Sequence, residues 1–188
     1  MILAIQACHE PMASQYPVGP LCNYVFGVEP FPTWTEDGQL VENLKDIKEH
    51  RIENKVAPSH FFGQPETEHI SGIIFSNQLT VSKFSRMAFQ KGYDRKNIRI
   101  FRSGICHNPD PRNSQPIKFS YELGTKDAIE ETWTQGLSLL VNAAANEPVS
   151  PFYFGKIATH SFLDRELRTS IGDFYPFNSV TKVIVLGN

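Results

Sequence analysis

The chain has 188 residues and a formal net charge of −2, with 40% hydrophobic and 20% charged residues. That is enough sequence to bury a core without metal or disulfide staples, and too apolar a composition for a disordered segment. No apolar run approaches the roughly 18 residues that span a bilayer, and the near-neutral charge does not by itself demand a nucleic-acid or membrane partner.

Fourteen Phe outnumber the six Tyr and two Trp together, which favours buried packing over surface recognition. Met1 runs directly into Ile2-Leu3-Ala4-Ile5 with no basic stretch, so no secretory leader is expected. Three cysteines cannot all pair with one another, and a reducing, cytoplasmic compartment is the expectation. Cys8-His9, Cys22 and Cys106-His107 could be drawn as a Cys/His set. Without a C-x-x-C pair no metal site is expected, and no cofactor is assigned.

Thirteen prolines crowd into 11–32, 58–65, 109–116 and 148–151, with one more at Pro176, and mark these stretches as loops. Residues 2–7 are apolar on both faces, the pattern of a strand buried from both sides. Residues 11–32 read as irregular, with a short apolar turn over 21–26. Leu40, Leu44 and Ile47 recur at helical spacing between charges, which predicts a surface helix over 39–50. The Phe61-Phe62-Gly63 loop should bury aromatics.

Residues 70–75 are rich in strand formers. Val81, Phe84 and Ala88 then repeat at i, i+3 and i+7, with Thr80 placed to cap the helix and Gly92 to end it. A strand over 98–102 follows, so 70–102 reads as strand, helix, strand, a βαβ signature. Further on, strands are expected over 117–122, 137–141 and 180–186, and a short helix over 127–135; residues 152–175 fit no single element. The expectation is one α/β or α+β domain with a mixed sheet, flanking helices and long proline-rich loops.

Charge placement carries the strongest functional signal. Lys83, Arg86, Lys91, Arg95, Lys96, Arg99 and Arg102 are seven of the eighteen basic residues, and only Asp94 opposes them within that stretch. Residues 29–69 hold nine acids and four bases. A basic surface gathered from 83–102 would bind a phosphate backbone through charge neutralisation and counterion release. At the strand-to-helix turn, Ser76, Asn77 and Thr80 could hold an anion at the helix N-terminus, although simple capping explains them as well. His9-Glu10 closes the first strand, where sites assemble in open α/β sheets. Glu53-Asn54-Lys55 and Pro109-Asp110 imitate pieces of a metal-dependent nuclease motif in reversed order, and no catalytic residue is assigned from them.

Several segments resemble the C-terminal half of an uncharacterised group of bacterial proteins with restriction-endonuclease-like (PD-(D/E)XK) nuclease features. They are Ile2-Leu3-Ala4-Ile5-Gln6-Ala7-Cys8-His9-Glu10-Pro11, His69-Ile70-Ser71-Gly72-Ile73-Ile74-Phe75-Ser76-Asn77 with Lys83-Phe84-Ser85-Arg86-Met87, and 136–142 near Trp133. The resemblance implies the later strands and helices of a nuclease-like fold, as a fragment of a larger protein whose metal-binding acids lie upstream. It transfers no catalytic residue. Cys8 stands where such proteins tend to carry Asp-Phe before the His. The leading expectation is thus a catalytically incomplete, nucleic-acid-contacting α/β protein. Two alternatives stand beside it. One is an interaction module that pairs with a partner chain or another copy of itself through the first strand or the Phe-rich loops. The other is a small-molecule enzyme with a pocket near His9 and Asn77.

Overall fold

The computed structural model describes residues 1–7, 16–93, 96–110, 113, 115–172 and 174–187. In chain order the elements are β1 (Ile2–Gln6), α1 (Gly19–Phe26), β2 (Val28–Trp34), β3 (Leu40–Asp46), β4 (Glu49–Ile52), β5 (Lys55–Pro58), β6 (Gly72–Ser76), α2 (Val81–Gln90), β7 (Ile98–Cys106), β8 (Ile117–Glu122), β9 (Leu137–Val141), β10 (Ala158–Leu163), β11 (Glu166–Ser170) and β12 (Pro176–Val185). Short 3-10 turns lie at Phe61–Gly63 and Pro151–Phe154. The chain is a mixed α/β or α+β protein, as composition and pattern indicate. Among the described residues no helix is long and apolar enough to cross a membrane.

A five-stranded mixed sheet runs in the order β1-β6-β9-β10-β11, and a separate antiparallel sheet in the order β12-β7-β8. Two ribbons, β2-β3 and β4-β5, complete the strands. In the large sheet β6 and β9 are the central hydrophobic strands. One face packs Ile73, Phe75 and Leu140 against Cys22, Val25 and Phe26 of α1 and against Phe62. The opposite face buries Leu137, Leu139 and Ile157. In the small sheet Ile100 and Leu123 close over Phe89 of α2.

Five expectations are corrected. First, residues 19–26 form a helix: Pro20 fits its first turn, and Gly27 ends it in a left-handed conformation at φ 70. A side chain at Gly27 would also meet His60. Second, the prolines at 30 and 32 lie within a strand. The ribbon bonds through the alternate residues, as the Thr35 N–H to the Gln39 carbonyl shows, so these two missing donors face the unpaired side.

Third, 39–50 is not a helix but β3 and the start of β4. Asp37-Gly38, with Gly38 at φ 74, turns the chain back on β2 and sets a hairpin register that overrides the helical spacing. Glu53-Asn54-Lys55 accordingly sits at the β4–β5 turn. Fourth, 127–135 forms no helix, because its backbone groups bond elsewhere. The Ile129 carbonyl accepts from Gln90 Nε2, the Glu131 N–H donates to Gln90 Oε1, and the Trp133 and Gln135 carbonyls accept from Lys83 Nζ.

Fifth, β6 and β7 belong to different sheets, so 70–102 is no βαβ crossover. Within 152–175, left open by the sequence, residues 158–170 form the β10–β11 hairpin. Asp164 and Arg165 at its turn both have positive φ, the geometry of a primed two-residue turn.

At β7, β12 shifts register between Pro176 and Asn178 and runs over Gly104, where a Cβ would strike the Asn178 carbonyl oxygen and Ser179 Cα. Gly104→Ala is expected to destabilise the protein by about 1–3 kcal/mol through this overpacking, read as a lower urea midpoint. An unchanged midpoint would mean that β12 does not cross β7 this closely.

Candidate functional site

Helix α2 packs with its basic side inward. Lys83 and Arg86 are 1% and 6% exposed, Arg102 on β7 is 1% exposed, and all three gather around Glu131, itself 5% exposed. Arg86 donates Nε to Glu131 Oε2 at 2.7 Å and Nη2 to Oε1 at 2.8 Å, a bidentate pair. Its Nη1 donates to Thr181 at 2.8 Å and to Ser82 at 3.2 Å. The Arg102 guanidinium lies 3.4 Å from Glu131 Oε1 and beside the edge-to-face pair of Phe119 and Phe174, at 5.7 and 5.6 Å from their centroids. Lys83 Nζ donates to the Trp133 carbonyl at 3.0 Å and to that of Gln135. Two guanidiniums thus share one carboxylate, and the Lys83 ammonium lies within its electrostatic reach while bonding two carbonyls. Burial lowers the Lys83 ammonium to about 8, with Glu131 pulling the other way.

This arrangement corrects the reading of 83–102 as one outward basic surface, since Lys83, Arg86 and Arg102 face inward and are bonded there. Lys91 is exposed and pairs with Glu130 at 2.6 Å. Arg99 is exposed and holds Glu122 through two bonds of 2.7 and 2.5 Å, which keep the Glu122 carboxyl below the usual range. Lys96 is exposed. Arg95, with Asp94, lies outside the described residues. The stripe Val81, Phe84 and Ala88 points to solvent.

Ser76, Asn77 and Thr80 serve the turn. Ser76 Oγ accepts from the Gln78 and Leu79 N–H groups at 3.1 Å, Asn77 Nδ2 donates to the Tyr16 carbonyl at 2.8 Å, and Thr80 Oγ1 accepts from the Lys83 N–H at 3.2 Å. Asn77 and Thr80 also line a polar cleft of about 520 Å³ between the start of α2 and β12, with Arg86, Ser179 and Thr181 on its other walls. Cys8, His9 and Glu10 lie outside the described residues. Cys22 and Cys106 are buried free thiols, and burial pushes Cys22 up to about 12. Among the described residues no three His, Cys, Asp or Glu side chains gather to hold a metal ion.

The outer face of the small sheet presents a different basic surface. Strand register and alternation place Lys182, Phe101 and Glu122 in one row, Asn178, Ile105 and Lys118 in another, and Arg99 on the same side. None of these residues is buried. The Arg99 guanidinium sits 5.0 Å above the Phe101 ring. Three cations share this face with one acid and one aromatic ring, Arg99 and Lys182 beside Phe101 and Lys118 farther along, opposite Ile105. Sequence reasoning found Arg99 and missed Lys118 and Lys182. The available signal was their alternation with Phe119, Tyr121, Thr181 and Val183, which face the other way.

No family model, curated protein or solved structure matches this chain.

The depressed Lys83 pKa has a stability consequence. Between about pH 8 and the unfolded lysine value near 10.5, the unfolded chain holds a proton at this position that the native state has released. Stability therefore rises with pH across that window, and falls as pH drops back through 8. Urea unfolding at pH 7.5 and pH 10 should show this rise in the unmodified chain and its loss in Lys83→Met. An identical pH increment in both proteins would contradict the assignment.

Proposed function

We propose that this chain is a nucleic-acid-contacting unit of nuclease-like ancestry, and that it contacts a single strand on the outer face of the β12-β7-β8 sheet. The observation that carries the reading is the uncovered surface formed by Arg99, Lys118 and Lys182 against Glu122, with Phe101 among them. An open sheet face that combines spaced cations with an aromatic ring suits a strand whose bases stack and whose phosphates follow the charges. Lys96, exposed just before β7, extends the positive edge. The resemblance of 2–11, 69–77 with 83–87, and 136–142 to nuclease-like proteins supports the same ligand class and supplies no catalytic role.

The test is binding of a labelled oligonucleotide across a salt series. Three to four phosphate contacts give a log–log salt slope of roughly −2 to −3 for a single strand. Lys118→Glu with Lys182→Glu should weaken binding at least tenfold and flatten the slope. Arg86 and Lys83 hold the core, so they are not the binding probes. Salt-independent binding, or affinity unmoved by the two charge reversals, would overturn the reading.

A further inference from the structure

Strand β1 carries a contradiction between its sequence and its place. Ile2-Leu3-Ala4-Ile5-Gln6 has the composition of an interior strand, yet it forms one edge of the large sheet. Ile2 and Ile5 are each 40% exposed.

The backbone defines what is open. Met1 accepts from the Ser71 N–H, and Ala7 donates to the Ser76 carbonyl. In a parallel ladder alternate residues bond to one neighbour, so Leu3 and Ile5, in step with Met1 and Ala7, bond to β6. The N–H and C=O groups of Ile2, Ala4 and Gln6 then face the other side, where no strand lies among the described residues.

The remaining described edges carry the usual guards against pairing. β11 has Glu166 and Arg168, β12 has Lys182, and β8 has Lys118 and Glu122. In the ribbons β2 has Glu29 and two prolines, β3 has Glu42, Lys45 and Asp46, β4 has Glu49 and Arg51, and β5 has Lys55. β1 alone has no charged side chain, no proline and no glycine. The Met1 ammonium beside it is turned toward β6, donating to the His69 carbonyl at 2.7 Å.

We propose that β1 is a self-association edge, pairing antiparallel with β1 of a second copy about a two-fold axis through Ala4. In that register Ala4 faces its own counterpart and Ile2 faces Gln6, so every open backbone group on the strand finds a partner. Leu3 meets Ile5 of the other copy on the α1 side, extending the apolar layer of Ile73 and Phe75 across the junction. Two identical strands without charge meet with no like-charge repulsion, which the other edges do not offer.

Sedimentation or light scattering from roughly 10 µM to 1 mM, the range in which a small interface equilibrates, tests the proposal. A monomer–dimer equilibrium is expected. Ala4→Pro removes an N–H from the open side only and leaves the β6 ladder intact, and Ile2→Lys adds an edge charge; each should shift the equilibrium at least tenfold toward monomer with the circular dichroism unchanged. As an independent readout, Ala4→Cys should cross-link with its symmetry mate under mild oxidation beyond the level of the unmodified chain, because opposed Cα atoms in a hydrogen-bonded pair lie about 5.5 Å apart. A chain that stays monomeric throughout, a dimer indifferent to Ala4→Pro, or no added cross-linking in Ala4→Cys would overturn the proposal.

Discussion

The structure turns on one carboxylate. Glu131 reaches inward from the segment between the two sheets and bonds Arg86 of α2 while lying against Arg102 of β7. Burying such charges costs several kcal/mol per ion, and the cost is offset only by good geometry and by partners for the remaining donors. Both conditions are met here: Arg86 is bidentate, its spare donors reach Ser82 and Thr181, and Arg102 donates to Ser179, Tyr121 and Gln135 beside two phenylalanine rings. Lys83 joins the cluster as a buried ammonium held by two backbone carbonyls, and burial lowers it to about 8. The cluster thereby ties α2, the small sheet and the irregular segment leading into β9 to one point.

That centre bears on where the proposed surfaces lie. α2 packs through cations and Phe89, its Val81-Phe84-Ala88 stripe faces water, and β6 and β7 lie in separate sheets. Besides Lys91 on α2 and Lys96 before β7, exposed basic residues of this region lie on the other side of β7 and on its two neighbours. The nucleic-acid reading therefore moves from the helix to the outer sheet face, keeping Arg99 and gaining Lys118 and Lys182. The large sheet, held by α1 on one face, leaves β1 as its unguarded edge.

Much of the framework was legible in the sequence. The strand at 72–76, the helix at 81–90 with its Thr80 cap, and the strands beginning at 98, 117 and 137 follow from composition and spacing. The ribbons were not, because Leu40, Leu44 and Ile47 satisfy a helical period by chance while the Asp37-Gly38 turn fixes strands. The segment around Glu131 was not, because its backbone bonds to side chains 39 to 52 residues away, which local propensity cannot register. The charge cluster at 83–102 was visible as composition, but its direction was not. Whether a lysine points in or out depends here on an acid at 131, and no pattern within 83–102 reveals it.

The most direct measurement is the equilibrium unfolding of Glu131→Gln, which keeps the shape and removes the charge. The account predicts a loss of about 3–5 kcal/mol, the cost of leaving buried cations without their counter-ion, and a much smaller effect of the same change when Arg86 is already methionine. A loss below about 1 kcal/mol, or equal losses in the two backgrounds, would contradict a core organised around Glu131.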